Sequence, residues 1–183
     1  LRPSALRYLY LGVHYRKQLK FSWAVLAQAE EALKRLTDFL ARLDHLPERD
    51  VNPEVSTQLK EAGRAFQEHV TNDLNTAAAL GVLFDLVRAL NTSIDNGELG
   101  TADAAAVRAA FDRFDRILGV LTLRQLEDEQ PPVPVEEIQQ LIEARRAARR
   151  NRDFLEADRI RAELDARGII LEDTGAMTRW KRK

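Results

Sequence analysis

A chain of 183 residues with 45% hydrophobic and 31% charged side chains can bury one sizeable core, or one core and a small satellite, and its composition excludes disorder. The 28 basic and 29 acidic residues nearly cancel, so the chain is no polycation, and nucleic-acid binding would have to come from a local patch. The absence of cysteine excludes disulfides and cysteine-ligated zinc and suits a reducing compartment, while no apolar run approaches the roughly 20 residues of a membrane span.

The chain begins at Leu1 rather than at a methionine, without a secretory signal, and reads as a piece of a longer protein. A short helix is expected around 3–13. Ser22 is placed to cap a second helix, whose apolar residues Leu26, Ala29, Leu33, Leu36, Leu40 and Leu43 alternate at steps of 3 and 4 and form one stripe. Pro47 and Pro53 punctuate the next connection. Val55, Leu59, Ala62, Phe66 and Val70 mark another helix. Asn75 or Thr76 can cap the one after it, with Leu80, Leu83, Val87, Leu90 and Ile94 facing inward. Asn96, Gly97 and Gly100 form a turn, and Thr101 is placed to cap a helix carrying Val107, Phe111, Phe114, Leu118 and Leu121. Four such stripes must hide one another, and the simplest arrangement is an antiparallel helical bundle.

The tract from Glu127 through Pro131, Pro132 and Pro134 breaks this pattern and predicts an extended linker. Beyond it, Ile138, Leu141 and Ile142 mark a helix from about Val135, and Ala157, Ile160 and Leu164 mark another over 153–166, with Gly168 as its terminator. Ile169, Ile170 and Leu171 face Met177, Thr178, Arg179 and Trp180 across Asp173-Thr-Gly175, a hairpin signal. The expected architecture is mainly α: a bundle followed by a small helix-helix-β-hairpin module. The expected boundaries are a connecting segment 1–20, the bundle 21–126, the linker 127–134 and the module 135–183. That module carries 12 basic and 10 acidic residues, a small excess of the sign that an anion-binding surface requires.

Candidate binding residues concentrate in the module. Arg145, Arg146, Arg149, Arg150 and Arg152 fall within eight positions. They can form a solvated face paired with Glu143, Asp153 and Glu156. Alternatively, Arg145, Arg149 and Arg152, at spacings of 4 and 3, can present several guanidiniums to an anion. Arginine also matches a base edge with two parallel hydrogen bonds. Asp158 can pair with Arg161, and Asp173 can start a turn; equally, carboxylates in a basic patch can accept from the amino groups of cytosine or adenine. Trp180 and Phe154 can stack on bases or cover the module core, and a hairpin on two helices needs an aromatic plug, which favours the core for Trp180. His14, His45 and His69 share no metal-ligand spacing, and no catalytic constellation is visible.

Several motifs then occur in order: Leu6-Arg-Tyr-Leu-Tyr-Leu-Gly-Val-His14-Tyr15-Arg16, Asn72-Asp-Leu-Asn-Thr76, Phe84-Asp-Leu-Val-Arg-Ala-Leu-Asn91, and the terminal Gly168-Ile-Ile-Leu-Glu-Asp173 followed by Arg179-Trp180. This succession resembles the C-terminal half of cysteinyl-tRNA synthetases, and the resemblance covers essentially the whole chain. It implies a class I helical domain touching the inside of the tRNA, followed by a reader of the GCA anticodon. It places the family's base-contacting residues on Arg149, Asp158 and Asp173. The backbone or stacking candidates are Arg145, Arg146, Arg150, Arg152, Arg179, Trp180 and Lys181. The implied partner is tRNA(Cys), with no DNA and no membrane, in a cytoplasmic monomer. The family's HIGH and KMSKS motifs and zinc-binding cysteines are not in this sequence. ATP and zinc are therefore implied for the parent enzyme only, and this part alone is expected to be inactive. A related mycothiol-synthesis ligase generally lacks the terminal module, and a helical protein-interaction domain would lack salt-sensitive affinity for tRNA.

Overall fold

Side chains that satisfy free backbone groups set the helix boundaries. The computed structural model describes residues 2–174 and 177–182. It contains α1 (Pro3–Leu11), α2 (Trp23–Arg42), α3 (Pro53–Thr71), α4 (Thr76–Asp95), α5 (Thr101–Leu118), α6 (Leu121–Glu129), α7 (Val135–Arg150), α8 (Phe154–Ala166), β1 (Ile169–Thr174) and β2 (Met177–Arg182). Ser22 caps α2 by accepting from the Val25 N–H at 3.2 Å. Asn52 caps α3, accepting from Glu54 at 2.9 Å, and Pro53 occupies a first-turn position that needs no donor. Of the two candidates for α4, Asn75 is the cap, accepting from Ala78 at 3.2 Å; the Thr76 hydroxyl donates to the Leu11 carbonyl at 2.7 Å.

The cap expected at Thr101 is corrected. Gly100 holds that position, and the buried Asp103 carboxylate accepts from the Gly100 N–H at 3.4 Å and from the Asn52 N–H at 3.0 Å. A side chain at 100 is excluded by packing, because its Cβ would lie 2.4 Å from the Arg49 Cβ. Leu121, expected on the fourth bundle helix, opens α6 instead. Asp115, buried near the end of α5, accepts from the N–H groups of Val120, Leu121 and Thr122 at 2.8, 2.8 and 2.7 Å. A negative charge thereby meets the donors and the positive dipole end of a helix N-terminus.

The chain divides into two compact units, Leu1–Leu123 and Arg124–Lys183. The first is the helical bundle. Leu33, Leu36, Leu83, Leu90, Val107, Phe111 and Leu118 are among its most deeply buried residues, while Leu40, Ala62, Val70 and Ile94 are only partly covered. Phe39, outside the expected stripe, is buried with its ring 5.4 Å from that of Phe111. Helix α4 is long and apolar enough to cross a membrane, contrary to the sequence expectation. Its Leu80, Leu83, Leu86, Val87 and Leu90 are buried in the bundle, which accounts for its composition.

In the second unit a core of Val133, Ile138, Ile142, Ile160, Leu164, Ile169 and Leu171 is flanked by Leu141 and Trp180. Val133 is 1% exposed and residues 127–129 are helical, so the proline tract is packed structure rather than a free extended linker. Gly168, at φ +83°, makes the left-handed turn from α8 into β1 that an L side chain would strain. The strands are antiparallel, with Leu171 opposite Trp180 and Asp173 opposite Thr178. Side chains alternate across a strand, so Ile169, Leu171 and Asp173 share one face with Arg182, Trp180 and Thr178. Asp173 lies within β1 rather than in the turn. The turn expected at Gly175 lies outside the described residues.

Candidate nucleic-acid interface

The apolar stripe of α7 runs Ile138, Ile142, Arg145, Ala148, all buried. Arg145 thus occupies a core-facing position, with its side chain only 5% exposed. Its Nη1 donates to Asp173 Oδ1 at 2.9 Å and its Nη2 to Asp173 Oδ2 at 2.7 Å, a two-pronged bridge between α7 and β1. Thr178, across the hairpin, donates its hydroxyl to the same Oδ1 at 2.8 Å. These hydrogen bonds, Arg145 first and Thr178 second, hold the Asp173 carboxyl well below the usual carboxylate range. The same bridge raises Arg145 further above its ordinary value. Arg145 was expected to meet the RNA backbone; here both of its terminal nitrogens serve the bridge to Asp173, and its own side chain is buried.

Arg149, one turn further along α7, stands at the surface with 53% of its side chain exposed, and its Nη1 lies 3.4 Å from Asp173 Oδ2. That contact is long for a charge-assisted hydrogen bond. Arg146 pairs with Glu143 at 2.6 Å on the same helix. Arg152 leaves the expected arginine stripe, because α7 ends at Arg150 and Arg152 adopts φ +61° in the turn to α8. Asp153 caps α8 and Glu156 pairs with Arg159, so neither neutralises the α7 arginines, as a solvated face would require. Arg150, Arg152, Arg161 and Arg179 are exposed and form no ion pair among the described residues. Placement at the C-terminal end of α7 also lets Arg149 and Arg150 complement the helix dipole.

Asp158 is exposed on α8 with no hydrogen bond or ion pair among the described residues, so the expected pairing with Arg161 is not formed. It lines an open cleft of about 350 Å³ with Arg161, Ala162, Asp165, Ile169, Ile170 and Leu171. Trp180 packs against the second core rather than standing free to stack, whereas Phe154, at the head of α8, is 60% exposed. Arg179, in register with Glu172, points to the sheet face opposite Asp173. The Lys181 side chain lies outside the described part. Thr178 was missed from sequence, although the hairpin signal at Asp173-Thr-Gly175 was read: the strand register that pairs Thr174 with Met177 sets 173 opposite 178.

An arginine surface with an exposed carboxylate, on a helix-helix-hairpin that follows a helical bundle in the chain, has the makeup of a nucleic-acid-binding region. Residues 65–123 match the DALR domain and residues 133–180 the cysteinyl-tRNA ligase anticodon binding domain. The chain thus carries the DALR and the cysteinyl-tRNA ligase anticodon binding domains, and it resembles part of the cysteine–tRNA ligases. A cysteine–tRNA ligase of Solibacter usitatus is 40% identical over 99% of this chain and 38% of its own length, and that of Geobacter sulfurreducens 37% identical over 98% and 40%. That of Bacillus velezensis is 40% identical over 98% of this chain and 38% of its own length. The chain thus spans about two fifths of the length of these relatives.

Proposed function

We propose that the second unit reads the GCA anticodon of tRNA(Cys) while the bundle holds the inside of that tRNA. We further propose that the whole protein is a cytoplasmic cysteine–tRNA ligase, activating cysteine with ATP and transferring it to the tRNA. The observation that carries this reading is Asp158, an exposed carboxylate that forms no hydrogen bond or close ion pair among the described residues, although Arg161 lies one turn away on the same cleft and the charge of Arg145 is near enough to act on it. A carboxylate in a basic surface repels phosphate; it is useful there as an acceptor from the amino group of cytosine or adenine. Arg149 supplies a base-edge donor, and Phe154 an exposed ring for stacking. Arg146, Arg150, Arg152, Arg179 and Lys181 are assigned to the RNA backbone.

ATP and zinc belong, on this reading, to the part of the parent outside this chain. The described residues hold no group of three or more metal-ligating side chains.

The test is binding of the purified chain to tRNA(Cys) and to anticodon variants at two salt concentrations. Arg149→Ala and Asp158→Ala should each lose about 1–3 kcal/mol of discrimination among anticodons. Arg150→Ala and Arg152→Ala should weaken all tRNAs alike and reduce the salt slope by about one phosphate contact each. Uniformly tighter binding by Asp158→Ala would remove the base-reading role and leave a plain electrostatic surface.

A further inference from the structure

A carboxylate has about four acceptor positions, two on each oxygen. At Asp173 the Arg145 fork takes one on each oxygen, at 2.9 and 2.7 Å. The Thr178 hydroxyl takes the second on Oδ1 at 2.8 Å. The remaining position, on Oδ2, faces Arg149 across 3.4 Å. Three of the four contacts are short, and two come from a side chain that is 5% exposed. The fourth is long and comes from a side chain that is 53% exposed. The carboxylate is therefore fixed in plane and rotation, with a single acceptor held only by the long contact from an exposed side chain.

We propose that Arg145 and Thr178 are positioning residues for anticodon specificity, which leave Asp173 one outward acceptor for one base amino group, and that this base displaces Arg149 from Oδ2. This rests on the anticodon-reading function proposed above. Arg145 and Thr178 touch no RNA; they decide which way the one acceptor points. Displacement also frees Arg149 to meet a neighbouring base, so the two contacts are gained together. Lysine at 145 would keep the charge but has no planar fork, and the carboxylate could then rotate.

The experiment uses the full 183-residue chain. The probes are an anticodon stem-loop RNA carrying GCA and three loops that each lack one amino group, with inosine for the guanosine, uridine for the cytosine or purine riboside for the adenosine. Asp173→Asn should lose about tenfold of its discrimination at one of these three bases. Arg145→Lys should lose discrimination at the same base, with its salt slope unchanged, and Thr178→Val should do so to a smaller degree. The Arg145→Lys/Asp173→Asn double variant should lose no more than Asp173→Asn alone. Circular dichroism confirms folding, and should Arg145→Lys be unfolded, Thr178→Val carries the same test. Two results would overturn the inference while leaving the function intact: unchanged discrimination in the folded Arg145 and Thr178 variants, or a uniform affinity loss with a reduced salt slope. In both, Asp158→Ala would still lose discrimination. A wild-type chain that binds all loops alike would overturn the functional reading and this inference with it.

Discussion

Arg16 grips the carboxylate of Asp73, donating from Nε at 2.9 Å and from Nη2 at 3.0 Å, and so ties the segment after α1 to the loop between α3 and α4. Tyr15 adds its hydroxyl at 2.5 Å, and His14 lies 3.6 Å away. These donors pull the Asp73 carboxyl below its ordinary value, Arg16 first and Tyr15 second. The loop they hold is strained, with Asp73 at φ +53° and Leu74 at φ +50°. Asp tolerates that region, whereas Leu gains nothing from it and is 61% exposed. Leu74→Asn is therefore expected to stabilise the bundle by roughly 0.5 kcal/mol, and Asp73→Ala to destabilise it. Urea unfolding followed by circular dichroism measures both. A stabilising Asp73→Ala would mean that the clamp does not hold the loop.

His14-Tyr15-Arg16 and Asn72-Asp-Leu-Asn-Thr76 are each legible in the sequence as local motifs, but nothing in their spacing says that they meet. Periodicity read the bundle well because each amphipathic stripe is a local pattern. It missed Phe39, which packs from beside the stripe against Phe111, and it missed the break before α6, which depends on Asp115 accepting from the N–H groups of Val120, Leu121 and Thr122. In the second unit the core stripe of α7 was visible up to Ile142, and Arg145 is its next member. Its charge drew it toward the surface in the sequence reading, because the compensating carboxylate lies 28 positions away and only the hairpin register delivers it. Asp158 was read from the resemblance, and its lack of a hydrogen-bonding partner among the described residues is a fact of three-dimensional placement.

Phe111 stands at the centre of an aromatic cluster, with ring centroids 5.4 Å from Phe39 and 6.0 Å from Phe114. Phe111→Ala should cost the bundle about 3–5 kcal/mol, since a fully buried ring leaves a cavity its neighbours cannot fill. Phe111→Leu should cost less. Chemical denaturation gives both numbers, and a loss below about 1 kcal/mol for the alanine variant would show that the cluster collapses freely.

Asp115 is 5% exposed, and its carboxylate is satisfied by three backbone N–H groups and the Thr122 hydroxyl. Alanine there strands those donors at the start of α6 and should destabilise the chain by about 2–3 kcal/mol. Asparagine can still accept with one oxygen and should cost less. Hydrogen exchange at Val120, Leu121 and Thr122 checks the local claim: protection should fall at these amides in Asp115→Ala. Unchanged protection would mean that other acceptors take over the cap.

The bridge from Arg145 to Asp173 also makes the second unit acid-sensitive, and the sign follows from the depressed carboxyl. In the unfolded chain Asp173 takes up its proton near pH 4, while in the folded chain the Arg145 and Thr178 hydrogen bonds keep it ionised well below that. The stabilisation is therefore present above about pH 4 and is lost progressively as the pH falls below it. Asp173→Asn should be less stable than wild type at pH 7, and the gap should narrow toward pH 3. Some acid sensitivity remains in the variant, because Glu137 with Arg167 and Glu156 with Arg159 are lowered by the same kind of hydrogen bond. Trp180 packs on this core, whereas Trp23 is 72% exposed in the other unit, so a Trp23→Phe background gives a fluorescence signal for the second unit alone. Thermal or urea unfolding of both proteins in that background, from pH 7 to pH 3, reads the gap directly. A gap that stays constant across the range would show that the ionised bridge does not contribute to folding.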